Sequence, residues 1–256
     1  MLLLGACGRS QPESPVVLGA TTTIEDSGLL QELQQSFSAA HPRFVVRTVT
    51  GGTGEVLQLG RRGDLDVTLT HDPPAESAFI AEGHANFRWE LMYNLFIIAG
   101  PESDPAGVRG GRDAAEAMKR IAVRKATFIS RGDESGTHKK ELFLWKEAGL
   151  DVPSARPAWY TEAGAGMGDA LRVASERAAY ILTEPGTFRV LRDQLRLLPL
   201  VEGDARLLNL YSVMRVNRAR NGEAADSLVD WLRGPGLTVI REFGRKQFGA
   251  PLFAPQ

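Results

Sequence analysis

One cysteine, Cys7, stands in 256 residues, which excludes an internal disulfide and any metal site built on cysteine thiolates. Histidine is nearly as sparse: His41, His71, His84 and His138 show no ligand spacing such as H-x-x-x-H, so no metal centre is expected. A basic excess is also missing. With 30 Lys and Arg against 31 Asp and Glu, the formal net charge is −1, which leaves nothing to neutralise a phosphate backbone and excludes nucleic acid as a partner. Beyond the first residues, no apolar run approaches the roughly 20 residues that a spanning helix needs. The Gly-x-x-x-x-Gly-Lys of a nucleotide loop and the Gly-x-Ser-x-Gly of a hydrolase elbow are absent as well.

What is present begins with a 43% hydrophobic content, enough to bury a substantial core in one large or two modest domains. With so little net charge, any anion recognition must be local. The densest candidate is Ser130-Arg131-Gly132-Asp133-Glu134-Ser135-Gly136-Thr137-His138-Lys139-Lys140-Glu141. Residues 126–129 before it read as a short strand, and residues 139–147 after it as an amphipathic helix, so the stretch is the turn between them. Ser135-Gly136-Thr137 supplies a capping hydroxyl, a glycine that permits close backbone approach and a second hydroxyl. The first N–H groups of the helix and the positive end of its dipole then face outward. This makes an anion seat. Arg131 adds a planar, permanently charged fork suited to a tetrahedral oxyanion, and Asp133 is spaced to orient it.

The same device recurs along the chain. Strand 16–20 leads through Thr21-Thr22-Thr23 into a helix expected over 24–41, with Leu29, Leu30, Leu33 and Phe37 on one face. Strand 44–49 leads through Thr50-Gly51-Gly52-Thr53-Gly54 into helix 55–62. Strand 65–70 ends at His71, a polar strand-end residue expected near a cleft. A long buried strand over 91–101 carries the chain onward. A fourth unit runs from strand 158–161 through a glycine-rich turn to helix 169–177, and its Gly164-Ala165-Gly166-Met167-Gly168 lacks the spacing of a dinucleotide fingerprint. Strand 179–183, helix 185–191 and strand 197–201 follow, then a returning strand over 211–216 and amphipathic helices over 223–232 and 237–248. Ligands in open α/β sheets sit beyond the carboxyl ends of strands. The expected oxyanion donors are therefore Thr22, Thr23, Thr53, Gly54, Arg131, Ser135, Gly136 and Thr137.

The run at 130–141, with Thr-Thr-Thr at 21–23, resembles the tungstate-binding proteins that serve ABC importers. The shorter Arg-x-Asp-x-Ser-Gly-Thr is shared with phosphate-binding proteins of the same fold. The resemblance extends from about Val16 to Pro255. It implies an α/β, two-lobed type II periplasmic-binding-protein fold: two α/β sandwich lobes joined by a two-strand hinge, with lobe 1 at 16–93 plus 217–256 and lobe 2 at 94–216. It also places the Thr-Thr-Thr turn and Arg131 in the anion pocket, although Ile24 stands where members carry serine.

Leu4-Gly5-Ala6-Cys7 has the pattern of a bacterial lipobox, and the resemblance implies cleavage before Cys7 with lipid on the new N-terminus. Met1 to Ala6 is shorter than a usual signal core, so the precursor is expected to start upstream. Residues 1–15 then read as signal remnant and tether. The resemblance further implies a monomer, anchored to the membrane only by lipid in the periplasm or at the cell surface. Its expected partners are an inorganic oxyanion and an ABC permease with its ATPase.

Tungstate comes first, then molybdate, then phosphate. The metal oxyanions are fully deprotonated at neutral pH and need a donor-only pocket. Hydrogen phosphate gains from a fixed acceptor, and its unpaired O–H would otherwise cost about 1–3 kcal/mol. His71 falls where phosphate binders place an aspartate, which favours the metal oxyanion. A hydrolase using Ser135 or Thr137 with His138 is not expected, because no orienting carboxylate is evident; no cofactor is expected either. A lipid-anchored oxyanion sensor fits the same residues.

Overall fold

The structure is a computed structural model that describes residues 15–256; Cys7 and all but the last residue of the tether lie outside the described residues. The first half of the chain builds β1 (Val16–Thr21), α1 (Thr22–Asp26), α2 (Leu29–Ala40), β2 (Val46–Gly51), α3 (Thr53–Arg62), β3 (Val67–Thr70), α4 (Pro73–Ala81) and β4 (Trp89–Leu95). Next come β5 (Ile97–Pro101), α5 (Ala114–Val123), β6 (Phe128–Ser130), α6 (Gly136–Glu147), α7 (Val152–Ala155), β7 (Tyr160–Glu162), α8 (Met167–Glu176), β8 (Ile181–Thr183), α9 (Pro185–Leu191) and β9 (Leu197–Val201). The chain closes with β10 (Leu208–Arg215), α10 (Gly222–Leu232), α11 (Gly236–Glu242), α12 (Arg245–Phe248) and β11 (Ala254–Pro255).

Two bodies of sheet result. The first has six strands in the order β11-β4-β10-β3-β1-β2, with β1, β2 and β3 parallel and β10 antiparallel to both its neighbours. The second combines β8-β5-β9 with the parallel pair β6-β7, joined by a bridge between Phe128 and Tyr180. Apolar clusters cover both faces of each. Phe37, Leu33, Trp231 and Leu232 pack on one face of the six-stranded sheet, and Val56, Leu57 and Phe79 on the other. Met118, Trp145 and Tyr180 pack on one side of the second body, Met167, Leu171 and Phe188 on the opposite side. β3 lies between β1 and β10 with apolar clusters on both faces, so no residue of Val67–Thr70 is exposed, and the buried Thr70 hydroxyl donates to Glu76 Oε1 at 2.7 Å.

Several elements differ from the sequence expectation, each for a local reason. The helix expected over 24–41 is broken into α1 and α2, because Gly28 takes φ +85° and starts a new helix. Gly244, at φ +86°, divides the helix expected over 237–248 in the same way. The single strand expected over 91–101 is two: Phe96 leaves the ladder, so β4 belongs to the six-stranded sheet and β5 to the three-stranded one. At that break the Phe96 N–H donates to the Leu207 carbonyl at 2.8 Å, so the two segments passing between the bodies lie side by side. β10, placed in the second lobe by the expected boundary at 216, is hydrogen-bonded between β3 and β4 of the first.

Candidate functional site

Three strand–turn–helix junctions converge where the two bodies meet. The six-stranded sheet contributes the starts of α1 and α3, with Thr21 and Gly52 at their N-cap positions, and the second body contributes the start of α6, capped by the Ser135 side chain. The contact is close. A Cβ on Gly52 would lie 3.9 Å from the Ser135 Cα, and one on Gly136 would strike the His71 ring at 2.7 Å. Lys139 Nζ reaches across to Asp72 Oδ2 at 2.7 Å, and α1 packs on α9.

At the centre sits Arg131, 3% exposed. The loop after it passes through left-handed backbone at Gly132 (φ +62°) and Glu134 (φ +57°), which turns Asp133 back onto the guanidinium. Both Nε and Nη2 of Arg131 donate to Asp133 Oδ2, the first at 3.0 Å, while Nη1 points at Thr137 Oγ1 at 3.4 Å. Thr137 Oγ1 in turn donates to Glu184 Oε1 at 2.9 Å. Glu184 follows β8 at the N-cap position of α9 and is 2% exposed. Its other oxygen, Oε2, is buried without a hydrogen-bond partner.

Across the interface, His71 Nδ1 lies 2.8 Å from Asn209 Oδ1 and 4.0 Å from Glu184 Oε1. Asn209 Nδ2 donates to Asn94 and to the Tyr211 hydroxyl, which leaves Oδ1 as the acceptor. Nδ1 of His71 therefore carries the proton. The ring also stacks on Tyr211 with centroids 4.8 Å apart.

Burial governs the charges. It pushes the His71 pKa down to about 4, so the imidazole is neutral at pH 7. It pushes Glu184 up to about 7, with Asp26 and Asp133 adding to the rise and Arg131 and the Thr137 hydroxyl opposing it. Removing the Arg131–Asp133 pair from water is costly unless each partner is satisfied, and the shared Asp133 oxygen meets that need for the guanidinium. No cluster of His, Cys, Asp and Glu among the described residues has the arrangement of a metal site.

The expected donors are not all brought together. Arg131 and Thr137 share one hydrogen-bonded cluster. Ser135 is buried beside them, its Oγ accepting from the His138 N–H at 3.2 Å, which fixes the start of α6. Gly136 serves the lobe contact, since His71 occupies the space a side chain would need. Thr53 opens α3, fully buried, with an unpartnered Oγ1. Thr23 is buried with its Oγ1 3.2 Å from that of Thr21, and Thr22 is half-buried at the first position of α1. Gly54 is exposed, and a Cβ there would meet nothing within 4 Å; the structure does not bring it into the buried cluster.

Sequence reasoning missed Glu184 and Asn209. The signal for Glu184 was the device already used four times: Thr183-Glu184-Pro185 ends a strand and starts a helix. Asn209 alternates with Tyr211 on β10, a polar pair on a strand otherwise read as a crossing. Glu184 also removes one argument about the ligand. A carboxyl group does stand in the cluster, as an acceptor when ionised and a donor when protonated.

A family model described as a PBP superfamily domain matches residues 8–234. A tungstate-binding protein, TupA, of Peptoclostridium acidaminophilum is 39% identical over 258 residues, covering 98% of this chain and 89% of that protein. Among solved structures, the tungstate-binding protein TupA of Desulfovibrio alaskensis G20 superposes with a TM-score of 0.80 at 38% identity, covering 95% of this chain and 99% of that one. A structure of the tungstate ABC transporter from Geobacter sulfurreducens gives 0.82 at 41% identity, covering 91% and 100%.

Proposed function

Because this chain belongs to the PBP superfamily and, within it, to the tungstate-binding proteins of ABC transporters, we propose that it captures tungstate between its lobes and delivers it to a permease. One observation carries the placement of the site. A fully charged but almost completely buried Arg131, held by Asp133 and Thr137, sits where helix starts from both bodies meet. A tetrahedral oxyanion there would receive N–H groups from α1, α3 and α6, the Thr53 hydroxyl and the guanidinium. Closure is the ligand's doing: donors from both lobes reach the ion only together, so occupancy favours the closed form.

The lobes of this reading follow the sheets, with the chain passing between them at Phe96 and Leu207. Cys7, outside the described residues, is the lipid attachment that keeps the binder near its permease, and Cys7→Ser should release the mature protein from membranes. The protein binds and releases, in keeping with relatives named as binding proteins. Phosphate is the second reading, favoured by Glu184, which if ionised could accept the O–H of hydrogen phosphate.

Thermal unfolding with tungstate, molybdate, phosphate and sulfate at equal concentrations tests the reading, since a ligand bound only by the folded state raises the midpoint. Tungstate and molybdate should give the large shifts. A shift with phosphate alone would transfer the function to the second reading, and no shift with any anion would sink both.

A further inference from the structure

We propose that Glu184 enters the oxyanion site as the carboxylic acid and donates a hydrogen bond to the ligand, so that capture of a dianion takes up one proton from solvent. The inference rests on the oxyanion reading and adds its proton stoichiometry.

The charge inventory comes first. Arg131 is the cation of the cluster, and its Nε and Nη2 are both engaged by Asp133. That pair is neutral as a unit. The groups facing Glu184 are Thr137 on α6, Arg131 and Asp133 on the loop before it, Asp26 on α1, His71 after β3 and Tyr211 on β10. His71 is neutral at pH 7, and burial holds the Tyr211 phenol protonated. With Glu184 ionised, a dianion would enter a cluster whose one cation is already paired and which holds the Glu184 charge beside the Asp26 carboxyl. With Glu184 protonated, the Glu184 charge is gone.

Hydrogen bonding points the same way. Glu184 Oε1 already accepts from Thr137, whereas buried Oε2 has no partner. An ionised, unpartnered oxygen beside an acceptor-only ligand would repel it. A protonated one is a donor lacking an acceptor, and an oxygen of tungstate or molybdate is such an acceptor. Burial already holds the free carboxyl near neutrality, and an adjacent dianion can only raise its pKa further. The sign follows. Affinity is fully present below the free-state pKa of about 7 and falls about tenfold per pH unit above it, until the bound-state pKa is reached. Tungstate isolates the effect, because the ligand itself carries no proton in this range.

The test is calorimetric titration with sodium tungstate at pH 8 in two buffers of different ionisation enthalpy, repeated at pH 6. The wild type should take up close to one proton at pH 8 and far less at pH 6, with Kd rising about tenfold per unit above pH 7. Glu184→Gln keeps the shape and the donor without the titration; it should bind with no proton uptake and a flat pH profile. Tungstate binding without proton uptake in the wild type overturns the proposal and leaves the oxyanion reading standing. Uptake that persists in Glu184→Gln also overturns it and shifts the proton to another group. If the wild type binds no tungstate at either pH, the oxyanion reading itself has failed. The wild-type measurement decides without the variant, should Glu184→Gln not fold.

Discussion

Gly136→Ala should leave both lobes folded and yet loosen the grip on the ligand. A Cβ at position 136 would stand 2.7 Å from His71 Cε1, 2.9 Å from Nε2 and 3.0 Å from Nδ1, where carbon contacts normally settle at about 3.5–4.0 Å. The imidazole has little room to yield, being buried, stacked on Tyr211 and hydrogen-bonded to Asn209. Position 136 opens α6 outside the left-handed region, so alanine adds no backbone strain there. All the strain therefore falls on the contact between lobes. Overpacking of this kind costs about 1–3 kcal/mol, which opposes closure and raises Kd about 5- to 150-fold. Calorimetry with tungstate measures the loss, and thermal unfolding without ligand checks that the midpoint holds. Wild-type affinity in the variant would refute the idea that ligand capture depends on this close contact between the lobes. A large drop in the ligand-free midpoint would show that the glycine supports the fold itself.

Other substitutions separate binding from stability. Thr53→Ala removes a buried hydroxyl that bonds nothing within the protein, so ligand-free stability should hold or rise while tungstate affinity falls by about 1 kcal/mol, roughly fivefold, in the same titration. Arg131→Ala removes the guanidinium and leaves Asp133 unpaired; a Kd at least about a hundredfold higher is expected, and a change within calorimetric error would end its assigned role. Glu141, buried and hydrogen-bonded by Trp145 and Tyr160, has its pKa pushed up to about 7 by burial. A carboxyl raised above its unfolded value binds more protons in the native state, so its contribution is present at low pH and lost as pH rises toward 7. Glu141→Gln should therefore gain on the wild type between pH 5 and pH 8, by up to the order of 3 kcal/mol; melting curves that shift in parallel across that range would contradict this.

Much of this protein was legible without coordinates because its signals are local. The sequence reading placed α9 at 185–191 and β9 at 197–201, and the clustering of Arg131, Asp133, Ser135 and Thr137 within seven residues pointed to the stretch that the structure buries around Arg131. The resemblance carried by residues 130–141 reached the family. What stayed hidden depends on chain segments far apart in sequence. Glu184 meets Thr137 across 47 positions, and His71 meets Asn209 across 138. A lone Glu before a proline and a lone Asn in a strand have no periodicity to betray them. Gly136 and Gly54 look alike in sequence, yet one faces a histidine ring and the other solvent. Sequence by itself determined where the chain makes hydroxyl- and glycine-rich helix starts, because capping chemistry is settled within a turn of the backbone. Only the tertiary structure decided which of those starts meet, and it alone buried a carboxyl group among them, because desolvation depends on everything that packs around a group.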